Sequence, residues 1–319
     1  MSRALAFALL AAIVLAAVAA PVVAPHAPDQ QFADAPFAPP TVLRVRDAAG
    51  QWRAPYFHPQ RLVSRLDQQY REDDGVEVPV TFLTNGRLIG DAGDPGAPLL
   101  LLGADRSGRD VLARLVYGAR ASLGIALGAV LGAVLLGVAI GGLAGVRGGW
   151  LDTLLMRIAD VVAVLPAIYF VVTLRAALPI VLPTSAVVAA LIGLLAVAGA
   201  PWIARGVRPI VAAENAMAHA EAARALGASP WRVLTIHLLP ASYGFVARQA
   251  ALLVPAFVLA EATLSFIGLG LPDRVPSWGT ALKETTGSAL AAFPWLLAPA
   301  VAIFVVTLLT NILVAEKAE

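Results

Sequence analysis

Cysteine is absent from the 319 residues, which excludes disulfides, thiolate metal sites and cysteine nucleophiles and leaves the redox compartment open. Charge is scarce as well: Asp, Glu, Lys and Arg make up 14%, against about 25% in an ordinary globular domain. No Gly-x-x-x-x-Gly-Lys-Ser/Thr occurs, so the chain carries no phosphate-binding loop of its own. Histidine is limited to His26, His58, His219 and His237, which lack metal-ligand spacing, and no Gly-x-Ser-x-Gly marks a nucleophile. The reading is a non-enzyme with no metal or cofactor of its own. Lys+Arg 23 against Asp+Glu 21 gives a net charge of +2, which offers nothing to nucleic acid. What is present in excess is apolar: 59% hydrophobic residues and a mean hydropathy of +0.78 place most of the chain in lipid.

A spanning helix needs roughly 20 mostly apolar residues. Runs of that kind cover Leu5 to Ala24, Ala121 to Val146, about Leu151 to Leu174 if Arg157 and Asp160 are admitted, Ala176 to Ala204, Tyr243 to Leu269, and Ala289 to Val314. Pro179 and Pro183 assign the start of the fourth run to a loop. The expected fold is therefore an all-α integral membrane protein of about six transmembrane helices. The first run, residues 1–24, also reads as a signal peptide, with a positive start and small residues near its end; a retained anchor is the reading adopted. Arg147, Arg205, Arg208, Arg224 and Arg232 fall on one side of the membrane when both termini are cytoplasmic, which sets the orientation.

Residues 25–102 form the sizeable water-facing region. Pro36 to Pro40 reads as an extended linker, and alternating residues around Asn85-Gly86 signal a hairpin. Arg61 to Glu72 reads as a short amphipathic helix. The expectation is a small, partly β extracytoplasmic insertion with too little core to stand alone. Next, Gly103 to Asp110 precedes apolar residues at helical spacing, which suits either a solvated turn leading to an interfacial helix up to Arg120 or an outer gate or interface. Residues 103–319 form the helical core.

The longest remaining loop spans residues 206–240. Its Ala-rich stretch from Ala212 to Leu226 predicts a helix, Gly227 its left-handed cap, and Ser229-Pro230 the start of a second helix. Such a projection offers small-residue surfaces that another protein can approach closely.

This loop carries Glu221-Ala222-Ala223, three residues, Gly227, nine residues, then His237, one residue, and Leu239-Pro240. The pattern resembles the signature of permease subunits of bacterial ABC importers. The histidine in place of an apolar residue is similar to the dipeptide, oligopeptide and nickel branch. Gly103 to Val111, Gly118 to Leu123, Gly148 to Asp152, Ala260 to Gly270 and Pro276 to Gly279 follow that branch in order, so the likeness covers about Leu99 to Asn311. The longer insertion and the short carboxyl terminus, Ala315 to Glu319, depart from many relatives.

The resemblance implies an inner-membrane subunit importing peptides or peptide-like solutes, with nickel complexes as the alternative cargo. It implies a second homologous permease, two cytoplasmic ATPases that bind ATP and Mg, and an extracytoplasmic solute-binding protein. It also implies that Glu221, Ala222, Ala223, Gly227, Ala228, Ser229, Pro230 and Trp231 form the coupling helix and turn that dock into the ATPase. Asp105, Arg109, Asp110 and Trp278 are candidates for an extracytoplasmic gate or interface.

Two charges lie at membrane depth. Asp160, three residues after Arg157, is placed to pair with it along one helix face. Glu261 falls about 28 Å from the inner start of its span, near the outer surface. Either could be functional. An ion-coupled secondary carrier, which would depend on these carboxylates, and a membrane-anchored scaffold without an ATPase are the competing readings. Trp278, Trp295 and Tyr169 read as interfacial anchors, and Pro166, Pro201 and Pro255 as kinks or helix ends.

Overall fold

The computed structural model describes residues 2–47, 50–84, 86–91, 96–164, 183–286 and 289–315. The expectations for Pro166, Tyr169 and most of the run ending at Leu174 lie outside the described residues. In chain order the helices are α1 (Arg3–Val18), α2 (Ala20–Val23), α3 (Val111–Arg147), α4 (Gly149–Val164), α5 (Thr184–Asn215), α6 (Ala218–Ala225), α7 (Pro230–Arg232), α8 (Tyr243–Phe266), α9 (Trp278–Leu282), α10 (Ala289–Ala292) and α11 (Ala298–Val314). Among the described residues, four helical segments are long and apolar enough to cross a membrane: Val111–Arg147, Thr184–Asn215, Pro230–Phe266 and Pro294–Val314. Arg3–Val18 is apolar but shorter.

The amphipathic lead-in expected up to Arg120 is not a separate helix. It is the first part of α3, whose 37 residues make a rod about 55 Å long, well beyond the roughly 30 Å of a hydrocarbon core. Helix α5 starts at Thr184 directly after Pro183, as the prolines foretold, and carries Pro201 and Pro209 inside it; Pro255 likewise lies within α8.

The chain forms two compact units. The first comprises residues 1–124 and 262–309, and the second residues 125–261 and 310–319. In the second, α3 and α5 meet along a seam of small residues. A Cβ on Gly132 would lie 2.7 Å from the Ala196 Cβ, and one on Gly141 would lie 2.5 Å from the Ala204 carbonyl oxygen. Lipid gives apolar helices little reason to associate, so this close backbone approach supplies the packing that holds them together.

The insertion belongs to the first unit. Three small antiparallel sheets run β1 (Arg44–Arg46), β2 (Trp52–Phe57) and β5 (Val78–Pro79); β3 (Gln60–Ser64) with β4 (Gln69–Glu72); and β6 (Thr81–Thr84) with β7 (Arg87–Gly90). The expected hairpin around Gly86 is present as β6–β7. The expected helix over Arg61 to Glu72 is a hairpin instead: Leu62, Val63 and Tyr70 are β-favouring residues, and Arg61 pairs with Arg71 across it. Two apolar clusters serve as core, one of Phe57, Val78, Val80, Ala97 and Leu99, the other of Phe32, Ala35, Ala38, Leu100 and Ala104. The insertion also rests on later residues of its own unit, where Phe37 stacks on Phe293 at 4.3 Å and Trp295 donates to the Ala104 carbonyl at 3.0 Å.

Candidate functional site

In the second unit the loop after α5 is built by two chain breaks. Helix α5 ends at Asn215, and Ala216 and Met217 interrupt what the sequence presented as one helix from Ala212 to Leu226. The Arg224 guanidinium donates to the Asn215 carbonyl at 3.2 Å and to its side-chain amide oxygen, and the Asn215 amide donates to the Val146 carbonyl at the end of α3. Helix α6 is thereby tied to two long helices. Its carboxyl end is closed by a paired bond set: the Ala228 amide donates to the Ala223 carbonyl at 3.0 Å and the Gly227 amide to the Arg224 carbonyl at 2.9 Å. Gly227 sits at φ +84°, where a side chain is strained. Ser229 then caps α7 by accepting from the Arg232 amide, with Pro230 at the first turn.

This construction turns Ala220 and Ala223 inward and leaves Glu221, Ala222, Gly227, Ser229, Pro230 and Trp231 exposed, with Ala228 half-buried. Leu226 is 89% and Trp231 73% exposed. Ala223, one of the eight docking candidates, is thus a packing residue.

Behind the loop, Asp152 receives two bonds from Arg208, at 2.7 and 2.5 Å, a bidentate clamp joining α4 to α5. The sequence reading missed this pair, although Asp152 stood in one of its family segments. Asp160 does not pair with Arg157; it bonds Arg205 on α5 at 2.6 Å, because the neighbouring helix brings a guanidinium closer than its own helix does. Glu261 is fully buried within the second unit.

In the first unit Asp105, Arg109, Asp110 and Trp278 are turned into the chain's own interior. Asp105 accepts from the Ser107 and Arg109 amides at 2.8 and 3.0 Å and from the Arg109 side chain at 2.7 Å, while Arg114 stands 3.5 Å away. Arg109 reaches on to Glu284 at 2.9 Å. Burial pushes the Glu284 carboxyl above its usual range and neighbouring Asp105 adds to the rise, while Arg109 and Arg114 oppose it. The solvated turn expected here is therefore a buried ion-pair knot.

Trp278 is enclosed by protein, which does not suit an interfacial anchor, whereas Trp295 is half-buried. Trp278 is 1% exposed and donates from its indole to the Leu115 carbonyl at 3.0 Å, with its amide on the Ser122 hydroxyl. Trp295, as noted, bonds Ala104.

Asp110 leads to a group the sequence reading passed over. One of its oxygens caps α3 by accepting from the Leu112 amide, and the other meets the His26 Nδ1 at 3.0 Å. The His26 Nε2 meets Asp91 at 2.9 Å. Burial alone would pull the imidazole down; hydrogen bonds and charge from Asp110 and Asp91 outweigh it and hold His26 up at about 9. A cationic imidazole donates to both carboxylates, so it links the chain after α2, the end of β7 and the start of α3. A lone histidine 84 residues from its partner left no local signal.

Residues 137–315 match the family described as the binding-protein-dependent transport system inner membrane component. The chain belongs to this family. This inner membrane component is 32% identical over 212 residues to the glutathione transport system permease protein GsiD of Pectobacterium atrosepticum, covering 66% of this chain and 68% of the relative. It is 34% identical over 195 residues to the oligopeptide transport system permease protein OppC of Bacillus subtilis, covering 60% of this chain and 61% of that one. A putative peptide transport system permease protein of Brucella suis is 36% identical over 216 residues, covering 67% and 70%. Among solved structures, a chain of the MetNI methionine ABC transporter in an inward-facing conformation superimposes with a TM-score of 0.48 at 21% identity, over 64% of this chain and 95% of that one. The matched region takes in the whole exposed loop of this inner membrane component and excludes its insertion.

Proposed function

We propose that this chain is one transmembrane subunit of an ATP-driven importer for peptides or peptide-like solutes, nickel complexes being the neighbouring class. A second permease, two ABC ATPases carrying ATP and Mg, and an extracytoplasmic binding protein complete the assembly. Both termini and the α6–α7 loop face the cytoplasm, and the insertion faces outward, in keeping with the arginine-rich side of the loops.

One observation carries the reading. Helix α6, its Gly227 turn and α7 hold Glu221, Leu226 and Trp231 out into solvent while bonds to Asn215 fix the base of the loop. Large apolar side chains held rigidly outside the membrane on a polar loop suit a protein groove. The glutathione, oligopeptide and peptide names of the relatives support the solute class. ATP-driven closure of the ATPases would move the loop as a body and carry α5 and α8 with it, a rigid-body route to alternating access. Asp160, already ion-paired, and Glu261, fully enclosed, suit a structural role better than proton or ion coupling.

The test is mild-detergent purification of the tagged protein from native membranes, alongside Gly227→Asp. Phosphate-loop ATPases and a second permease are expected to co-purify with the wild type and to be lost from the variant, which still inserts in the membrane. Recovery of the wild-type chain alone, or full transport by the variant, overturns the docking model.

A further inference from the structure

The insertion holds a cleft of about 810 Å³, formed by residues that all belong to the first unit. Pro59, Gln60, Arg61, Leu62 and Val63 line it in unbroken succession. Side chains alternate between the faces of a strand, so a cleft touched by every residue in turn is meeting the strand's edge. The partnering of β3 agrees. Among the described residues it pairs with β4 alone, Gln60 with Glu72, Arg61 with Arg71 and Leu62 with Tyr70.

Which backbone groups face outward follows from the ladder. The Asp73 amide donates to the Pro59 carbonyl at 2.9 Å, which makes that pair hydrogen-bonded. Antiparallel pairs alternate, so Arg61–Arg71 is hydrogen-bonded in turn, while Gln60 and Leu62 direct their amides and carbonyls away from β4. Neither residue's amide or carbonyl is bonded to backbone outside the hairpin among the described residues. Such an edge is usually covered, charged or interrupted. Here it stays open because the hairpin is pinned beside the 31–38 segment, by the Tyr70 hydroxyl donating to the Pro36 carbonyl at 2.6 Å and by Arg65 bonding Asp34 at 2.8 Å. Phe32, Ala35 and Leu100 give the cleft an apolar lining, and Gln31, Asp34 and Arg65 a polar one.

We propose that this cleft binds a short peptide in extended form, as a strand added to the free edge of β3. The inference rests on the peptide-import reading and adds a second peptide site, on the insertion, to the translocation path. The outward amides and carbonyls of Gln60 and Leu62 complement an extended main chain, while recognition through the main chain leaves the ligand's sequence largely free. The volume lies in the range of small-ligand sites. An edge lined by three separate chain segments admits a single extended chain more readily than the border of a folded sheet.

The experiment uses the full-length protein in lipid nanodiscs and a tetra-alanine peptide carrying a benzophenone on its third residue. A second peptide has alternate backbone amides N-methylated. Photolabelling is expected within residues 31–35, 59–65 or 96–100 and should fall at least tenfold with the methylated peptide. Leu62→Pro removes one outward amide at a position that gives β4 no hydrogen bond, and should lower labelling by a similar factor. Ala33→Trp, at an exposed position lining the cleft, should do so by filling it, which guards against misfolding of the proline variant.

Labelling elsewhere, equal labelling by both peptides, or labelling unchanged in both variants overturns the site. So does an outcome in which free peptide never labels the cleft while Leu62→Pro abolishes capture of the extracytoplasmic binding protein, since the edge would then serve a folded partner. Uptake of the unmodified peptide by the assembled transporter is scored separately. Failed uptake by the wild type counts against peptide import, whereas normal uptake with no cleft labelling counts against this site alone.

Discussion

The two units use their motif residues in opposite ways. In the first, Asp105, Asp110 and Trp278 are buried, Arg109 is half-buried, and all four are bonded within the chain. In the second, Glu221, Leu226, Gly227 and Trp231 stand in solvent, fixed in place but making few contacts of their own. A buried motif reports a fold, and an exposed rigid one reports a partner. The contrast predicts that substitutions in the two units will fail by different routes.

The largest effect is expected at Asp105. Asp105→Ala leaves Arg109 and the enclosed Arg114 without their shared carboxylate, and breaking a buried pair in this way costs about 3–5 kcal/mol. Thermal unfolding of the purified protein should show it. A melting temperature like that of the wild type would dissolve the contrast, because the knot would then be ornamental.

A smaller effect, graded by pH, should come from His26. Its pKa rises on folding from 6.5 to about 9, so its contribution to stability is complete below about pH 6.5 and disappears as pH rises through about 9. The groups facing it are the Asp91 and Asp110 carboxylates and the Phe32 ring. The wild type should lose stability between pH 7 and 10 in a way that His26→Asn does not. Parallel pH profiles of the two proteins would remove the histidine from the account.

The smallest change in stability belongs to the other unit. Trp231→Ala deletes an exposed side chain and should shift unfolding by no more than about 0.5 kcal/mol. Its effect should appear instead as at least a tenfold loss of affinity for the partner ATPase, measured by titration of detergent-solubilised components. Marked destabilisation without loss of affinity would reverse the assignment of this unit.

How much of this was legible beforehand divides along similar lines. Length and apolarity located the crossing helices, because a bilayer makes a demand on composition that few other environments make. Gly227 and Ser229-Pro230 were legible because caps act within four residues. The β3–β4 hairpin was not: Arg61 to Glu72 alternates too irregularly, with a bulge between Leu62 and Ser64, for a period of two to be seen. The Arg205–Asp160 and Arg208–Asp152 pairs were hidden for another reason. They join residues 45 and 56 positions apart, and nothing local to Asp160 distinguishes a partner on its own helix from one on the next. His26 is the extreme case, with its partners 65 and 84 residues away.

The turn from α3 into α4 is set by main-chain torsion alone. Gly148, between α3 and α4, and Gly149, the first residue of α4, stand at φ +59° and +61°, and a Cβ on either would meet nothing within 4 Å. Two successive left-handed residues join the helices with almost no loop. Any other residue there is penalised by its own torsion angles and not by a neighbour. A saturation screen would therefore record two intolerant positions in open space, with the outward profile of a binding hot spot, although torsion angles alone account for the intolerance.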